Sequence, residues 1–180
     1  SRIDMNTTRL PHVVNAGLLA LLIGGSLWAY PALPDQIPRH FGFYGEADAY
    51  WATTGLRWML LPITAVVSGG IVYGSAWLIG HAPDGMNVPN QGHYDQLSPG
   101  QKRVVVACAQ RAVYWMTTPL IVVFGAVQVG TYLVATTPAT ALPPAVMVAI
   151  AGGILAILGL AGGLGWGMRR RIRELAEGAG

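Results

Sequence analysis

Four long runs of apolar residues, divided by short polar or proline-rich stretches, account for most of the chain. Between Arg9 and Asp35 no residue is formally charged, and the apolar heart runs from Val13 to Leu33. That is close to the ~20 residues needed to cross ~30 Å of hydrocarbon at 1.5 Å per residue. The second run extends from about Trp58 to Gly80, with Pro62 near its first turn, where a missing N–H costs little. The third helix is expected to start at Ser98 as N-cap with Pro99 at the first helical position. Lys102, Arg103 and Arg111 should lift its first turns out of the membrane, leaving Ala112 to Thr136 inside. Pro138, Pro143 and Pro144 then force a tight, uncharged hairpin. The last run, Ala145 to Met168, stops at Arg169, Arg170, Arg171 and Arg173. The pattern therefore predicts one all-α domain over 1–180, an integral four-transmembrane-helix bundle. Its helices are expected at about 12–33, 58–80, 98–136 and 145–168. They are joined by an outer loop 34–57, a cytoplasmic loop 81–97 and an outer hairpin 137–144.

Orientation follows from Lys and Arg. With four spans both termini share a side, and that side carries Arg2, Arg9, Lys102, Arg103, Arg111 and the four C-terminal arginines. Only Arg39 and Arg57 lie opposite, so the positive-inside rule puts the N- and C-termini in the cytoplasm. Arg2 and Arg9 ahead of an apolar run could mark a signal peptide. However, the run is long, and Pro31 and Pro34 crowd the place of a small-x-small cleavage site, so a retained first helix is expected.

Composition agrees with the pattern: 53% of residues are hydrophobic and 11% charged, against about 25% charged in a soluble domain. The pI near 9.3 rests on only 11 basic residues, most of them beside apolar stretches. It therefore implies anionic headgroups of the lipid bilayer rather than nucleic acid. The single Cys108 excludes an intrachain disulfide and a Cys-rich metal site.

Helices in lipid associate by close packing, which small residues at four-residue spacing permit. Gly159, Gly163 and Gly167 mark such a face on the fourth helix, Ala16, Ala20 and Gly24 on the first, and Gly70 and Gly74 on the second. The simplest expectation is helix packing within the bundle. The sharper one is that the fourth-helix stripe docks another subunit, as a membrane-protein partner or homo-oligomer would require. Gln128, deep in the third span, should bond across helices, since an unpaired amide in hydrocarbon costs several kcal/mol. No Asp, Glu, Lys or Arg lies within a span, which argues against a proton pump or ion path.

The outer loop concentrates polar and aromatic residues. Pro34 and Pro38 stiffen it, Gly42 and Gly45 permit turns, and Phe41, Phe43, Tyr44, Tyr50 and Trp51 suit the headgroup level. His40, Glu46 and Asp48 are the weak candidates for a metal, although their spacing matches no metal signature. Hydrogen-bonded caps shaping a rigid loop are the plainer expectation.

Two motifs carry a resemblance. The run Leu33-Pro34-x-x-Ile37-Pro38-x-His40-Phe41, followed by Gly45-Glu46-x-Asp48, is similar to the signature of a bacterial membrane domain of unknown function. That domain opens SdpI-type toxin-immunity proteins and also occurs alone in short four-helix proteins. Met86-Asn87-Val88-Pro89-Asn90, trailed by His93-Tyr94, resembles the Asn-Leu-Pro-Asn segment of the short members. Departures stand at Gly42, where relatives usually have Asn, at Thr53 and Thr54, where Lys is common, and at Gln91, where a basic residue is usual. The resemblance implies a bacterial cytoplasmic (inner) membrane protein. For its SdpI-type members it implies protection from a secreted toxin, and signalling by holding a repressor at the membrane.

Pro83, Gly85, Pro89 and Gly92 make the cytoplasmic loop a structured turn, in which Asn87 and Asn90 can form Asx turns. His12 and His81 lie at the cytoplasmic ends of two spans, where a bis-His haem or a quinone site is conceivable. Interfacial histidines without a cofactor are far commoner, so no cofactor is expected. No phosphate loop, dinucleotide fingerprint, Cys-x-x-Cys or His-Glu-x-x-His is present, and no nucleophile stands beside an oriented base. The leading expectation is a non-enzymatic binding or sensing protein, with the outer loop recognising an extracellular ligand such as a peptide. The alternatives are a structural accessory subunit of a larger membrane complex and, less favoured, a membrane enzyme or metal-binding protein.

Overall fold

The computed structural model describes residues 5–81 and 88–177. Helix α1 (Met5–Ala29) ends in a 3-10 turn (Tyr30–Ala32), where Pro31 and Pro34 cannot continue the ladder. Strands β1 (Gln36–Phe41) and β2 (Ala47–Ala52) follow, then the short α2 (Gly55–Trp58) and α3 (Leu60–His81). The short α4 (Gln91–Asp95), α5 (Pro99–Thr136) and α6 (Pro144–Glu177) complete the described chain. Helices α1, α3, α5 and α6 are each long and apolar enough to cross a membrane. The protein is an all-α, four-helix membrane bundle with a small hairpin at one end.

Helix α5 is the hub. It packs extensively against α3, α6 and α1, whereas α3 and α6 flank it without forming a substantial interface of their own. Side chains that face away from α5, such as Val67, Ile71, Leu155 and Leu158, are exposed, as lipid-facing positions should be.

At ~1.5 Å per residue α5 is about 57 Å long and α6 about 51 Å, well beyond the ~30 Å hydrocarbon slab. Their surplus projects at the end that holds the termini. A satellite core forms there: Val88, Tyr94 and Leu97 pack on Val105 and Ala109 of α5 and on Met168 and Ile172 of α6. Ser98 caps α5 in a reciprocal capping box with Gln101, whose Nε2 also donates to Leu175 O of α6 at 3.0 Å. The arginines after Met168 therefore do not stop the helix. α6 runs on to Glu177 because Glu174 pairs with Arg170 (2.8 Å) and Arg171 (3.3 Å) on the water-facing extension.

The small-residue faces do not serve as expected. Nothing lies within 4 Å of where a Cβ would stand at Gly159, Gly163, Gly167, Gly24, Gly70 or Gly74, and Ala16 and Ala20 are exposed. The close approaches fall on neighbouring positions: Gly153 against Val123 and the Pro119 carbonyl, Gly130 against Leu142 and Val146, Gly69 against Thr117, and Gly80 against Gln110. Four-residue spacing alone does not say which face of a helix meets its neighbour. On α3, Ala65, Gly69 and Ala76 are buried while Gly70, one position on, points away.

Within the slab one polar network ties three helices. Asn15, 2% exposed, donates through Nδ2 to Tyr73 Oη and to Tyr114 O, both at 3.0 Å, and accepts from Thr118 Oγ1 at 2.7 Å. His12 Nδ1 lies 3.1 Å from the same Tyr73 hydroxyl. His81 instead stacks on Trp77 and turns Nδ1 to that residue's carbonyl, so the two histidines engage different partners.

Candidate functional site

The outer loop is a β-hairpin, which the sequence reading of a rigid turn-rich loop did not anticipate. β2 alternates along its length, whereas β1 buries Ile37 and Pro38 in succession and exposes Arg39 and His40 before the half-buried Phe41. Pairing is antiparallel, from Gln36 with Ala52 to Phe41 with Ala47, with a register irregularity on either side of His40 that cancels by Phe41. The shift sets His40 opposite Ala49, and its Nδ1–H reaches the neighbouring Asp48, donating to Oδ1 at 2.7 Å on the exposed face.

A lone two-stranded hairpin is marginal in water, so this one needs support. At its base Thr53 N–H donates to Asp35 O at 2.8 Å, and Thr53 Oγ1 donates to Pro34 O at 2.5 Å. Thr54 caps α2, accepting from Arg57 N–H. Trp58, 2% exposed, donates through Nε1 to Ser26 O of α1 at 2.7 Å and packs with Ala29 and Ile37. From below, Gln128 Nε2 donates to Trp58 O at 3.2 Å, the cross-helix bond expected of that amide. At the tip Gly45 takes φ +84°, a conformation that favours glycine, with Met147 Sδ only 3.0 Å from where a Cβ would stand. The tip is also stitched to the α5–α6 connection, through Leu142 N to Gly45 O (2.8 Å) and Ala47 N to Thr140 O (3.0 Å).

The positions that depart from the family pattern all have local work here. The Glu46 carboxylate occupies the space that a Cβ at Gly42 would fill. Thr53 and Thr54 hold the hairpin base, as above. Gln91 accepts from Val88 N–H and donates to Asp95 Oδ1. In the other loop Asn90 adopts φ 62° and its carbonyl accepts from His93 and Tyr94 N–H. Pro89 is half-buried there, and Asn87 lies outside the described residues.

The three weak metal candidates do not converge. His40 pairs with Asp48, Glu46 lies over Gly42, and among the described residues no group of three or more His, Cys, Asp or Glu could hold a metal ion. The depression around the pair is otherwise lined by Arg39, Ala49 and Trp51, which offer no hydroxyl or thiol as a nucleophile.

Beneath the hairpin, between α3 and α6, lies a cavity of about 690 Å³, within the range of ligand sites. Its roof is β1 with Phe43, Gly45 and Trp51. Its walls are Leu60 and Leu61 of α3, Gln128 and Thr131 of α5, and Met147, Ile150 and Ile154 of α6. Arg39 and Arg57 stand at its polar end. Arg57 is positioned by a bond from Nη1 to Ala52 O at 2.9 Å and lies 5.5 Å over the Trp51 ring. A second apolar groove of about 370 Å³ runs between α1 and α5, also reaching Gln128. Sequence reading missed both cavities, because the gap between α3 and α6 is set by how each helix leans on α5. The signal that was available for the hairpin was Gly42 and Gly45 between two strand-length segments.

Residues 17–65, which run from within α1 through the hairpin to the first turns of α3, match a family described as Domain of unknown function (DUF1648). No curated protein and no solved structure matches the chain.

Proposed function

We propose that the chain is a non-enzymatic binding or sensing protein of a bacterial cytoplasmic membrane. Its hairpin is the recognition surface on the outer side, and its termini are cytoplasmic, as the basic-residue asymmetry favours. The observation that carries this reading is a hairpin anchored at base and tip that still leaves its outward face uncommitted. Phe43 and Tyr44 are 90% and 79% exposed, beside the His40–Asp48 pair. Pre-organised, exposed aromatic and polar groups are what a recognition surface requires. The motif likeness to SdpI-type immunity proteins supports a secreted peptide as the ligand class.

The test uses the full chain in lipid nanodiscs, with the peptide fraction of bacterial culture medium as probe and the thermal unfolding midpoint as readout. A fraction that raises the midpoint of the native chain, but not of Phe43→Ser/Asp48→Asn, is the expected result. If no fraction acts, or if both chains shift equally, the reading fails.

A second reading, an accessory subunit of a membrane assembly or homo-oligomer, is favoured by one feature. The Gly159, Gly163, Gly167 face of α6 has nothing packed on it. Gentle extraction followed by mass measurement tests it, and a monomer would count against it.

A further inference from the structure

The cleft under the hairpin has a chemistry of its own, and it goes beyond recognition by the outward face: His40 and Phe43 border it, but Tyr44 and Asp48 do not line it. Because α3 and α6 do not pack on each other, it opens sideways between them. Leu60 and Ile154 on its two flanks are 38% and 47% exposed. An occupant can therefore enter from the hydrocarbon rather than from water. The walls along α3 and α6 are aliphatic, whereas the end under the hairpin is cationic. Arg39 and Arg57, the only Lys or Arg residues at this end of the bundle, both border the same cavity. No carboxylate lines it, and among the described residues neither guanidinium has a carboxylate partner. Glu46 is turned to Gly42 and Asp48 to His40. Arg57 is held by Ala52 O and the Trp51 ring with donors to spare, and Trp51 Nε1, on the same wall, is a buried donor without a protein partner.

We infer that this cleft binds an anionic phospholipid from the leaflet on the hairpin side. Its phosphate lies between Arg39 and Arg57, and an acyl chain runs down between Leu60, Leu61, Ile150 and Ile154. Guanidinium forks match phosphate oxygens in geometry and charge, and a low-dielectric wall strengthens the pairing. The aliphatic walls take the chain, so a headgroup without chains is insufficient. A zwitterionic lipid fills the same walls while offering no net charge to the arginines.

The experiment is native mass spectrometry of the delipidated full chain, titrated with phosphatidylglycerol, phosphatidylcholine or glycerol phosphate. Phosphatidylglycerol should be retained over phosphatidylcholine by about tenfold, because choline's fixed ammonium sets a like charge beside the arginines that bind the same phosphodiester. Glycerol phosphate should neither bind nor compete. Arg39→Gln/Arg57→Gln should erase the preference, and Ile154→Trp, which plugs the flank of the cleft, should lower retention of both lipids. Arg57 also braces Ala52, so the single Arg39→Gln is the control against misfolding and should itself reduce the preference. Equal retention of the two lipids, an unchanged preference in Arg39→Gln/Arg57→Gln, or displacement by glycerol phosphate would each overturn the inference. The last result would indicate a water-borne anion site instead. Because Phe43 borders the cleft as well, the peptide response is scored for this purpose on Asp48→Asn alone, whose side chain lies outside it, so the two ideas fail separately.

Discussion

Replacing Asn15 by Ala removes the side chain that, alone among the described residues of α1, hydrogen-bonds to both α3 and α5. Three hydrogen bonds are lost at a site 2% exposed, where water cannot take over. Bonds of this kind in membrane proteins average ~0.6 kcal/mol and reach ~1.7 kcal/mol, so simple addition gives about 2 kcal/mol and an upper bound near 5. The geometry lowers that bound. Thr118 Oγ1 can turn to the carbonyl of Tyr114, four residues back on its own helix, so two of the orphaned groups satisfy each other. Tyr73 keeps His12. The expected loss is therefore about 1.5–2.5 kcal/mol.

Reversible unfolding in mixed detergent micelles, followed by tryptophan fluorescence, would measure that loss. A double-mutant cycle with Thr118→Val isolates the 2.7 Å bond and should return a coupling of about 0.5–1.5 kcal/mol. A loss for Asn15→Ala below ~0.5 kcal/mol, together with zero coupling, would refute the argument that this network, and not apolar packing alone, fixes α1 on the bundle.

The remaining predictions concern helix packing, the hairpin tip and the α6 tail. Gly163→Ala should leave the isolated chain as stable or up to ~1 kcal/mol more stable. Gly153→Ala meets Val123 and the Pro119 carbonyl and should lose roughly 1–2 kcal/mol net, both read in the same unfolding assay. Gly45→Ala forces a Cβ into φ +84° beside Met147 and Leu142. It should cost ~1–2 kcal/mol and speed amide exchange at Leu142, whose N–H bonds to Gly45 O. The Glu174 carboxyl is held below its ordinary pKa, first by its bond to Arg170 and then by that to Arg171. A depressed carboxylate stabilises the folded form above its unfolded pKa of ~4.3, and that contribution fades as pH falls through the lowered value. Acidification should thus fray α6 beyond Met168, and Glu174→Gln should show the same loss at neutral pH without further pH dependence, by backbone amide chemical shifts.

The spanning helices were legible because hydrocarbon imposes a one-dimensional rule: no charge for about 20 residues. Ser98, Pro99 and Gln101 spelled out the start of α5 in the same local way. What was not legible depends on helix rotation and tilt. Gly159, Gly163 and Gly167 share a face by sequence, but whether that face meets α5 is decided by the positions that grip it, Val146 and Gly153 among them. The spans also hide Asn15, Tyr73, Tyr114 and Thr118, each unremarkable alone and a network only once three helices bring them together. In the loop, His40, Asp48 and Gly45 stood out in the sequence as part of one motif, yet which of them meet is set by the hairpin. The hairpin sets His40 opposite Ala49, within reach of Asp48, and turns Glu46 to Gly42, which spacing alone cannot decide.

The hairpin owes its order to the helices beneath it, and that ties its chemistry to one of them in particular. Ile37 is fixed through Trp58 to α1, and the hairpin tip through Gly45 and Ala47 to the residues that open α6. Of the spanning helices α6 has the fewest partners: it packs on α5 and, past the membrane, on α4. It supplies one wall of the cationic-ended cleft, carries the bare glycine face, and ends in the arginine-rich extension beside Tyr94. A ligand on the hairpin, a lipid in the cleft and a subunit on the glycines would thus all bear on the same helix. Sharing that one helix, the three sites would be coupled to the extent that occupying one shifts how α6 sits on α5.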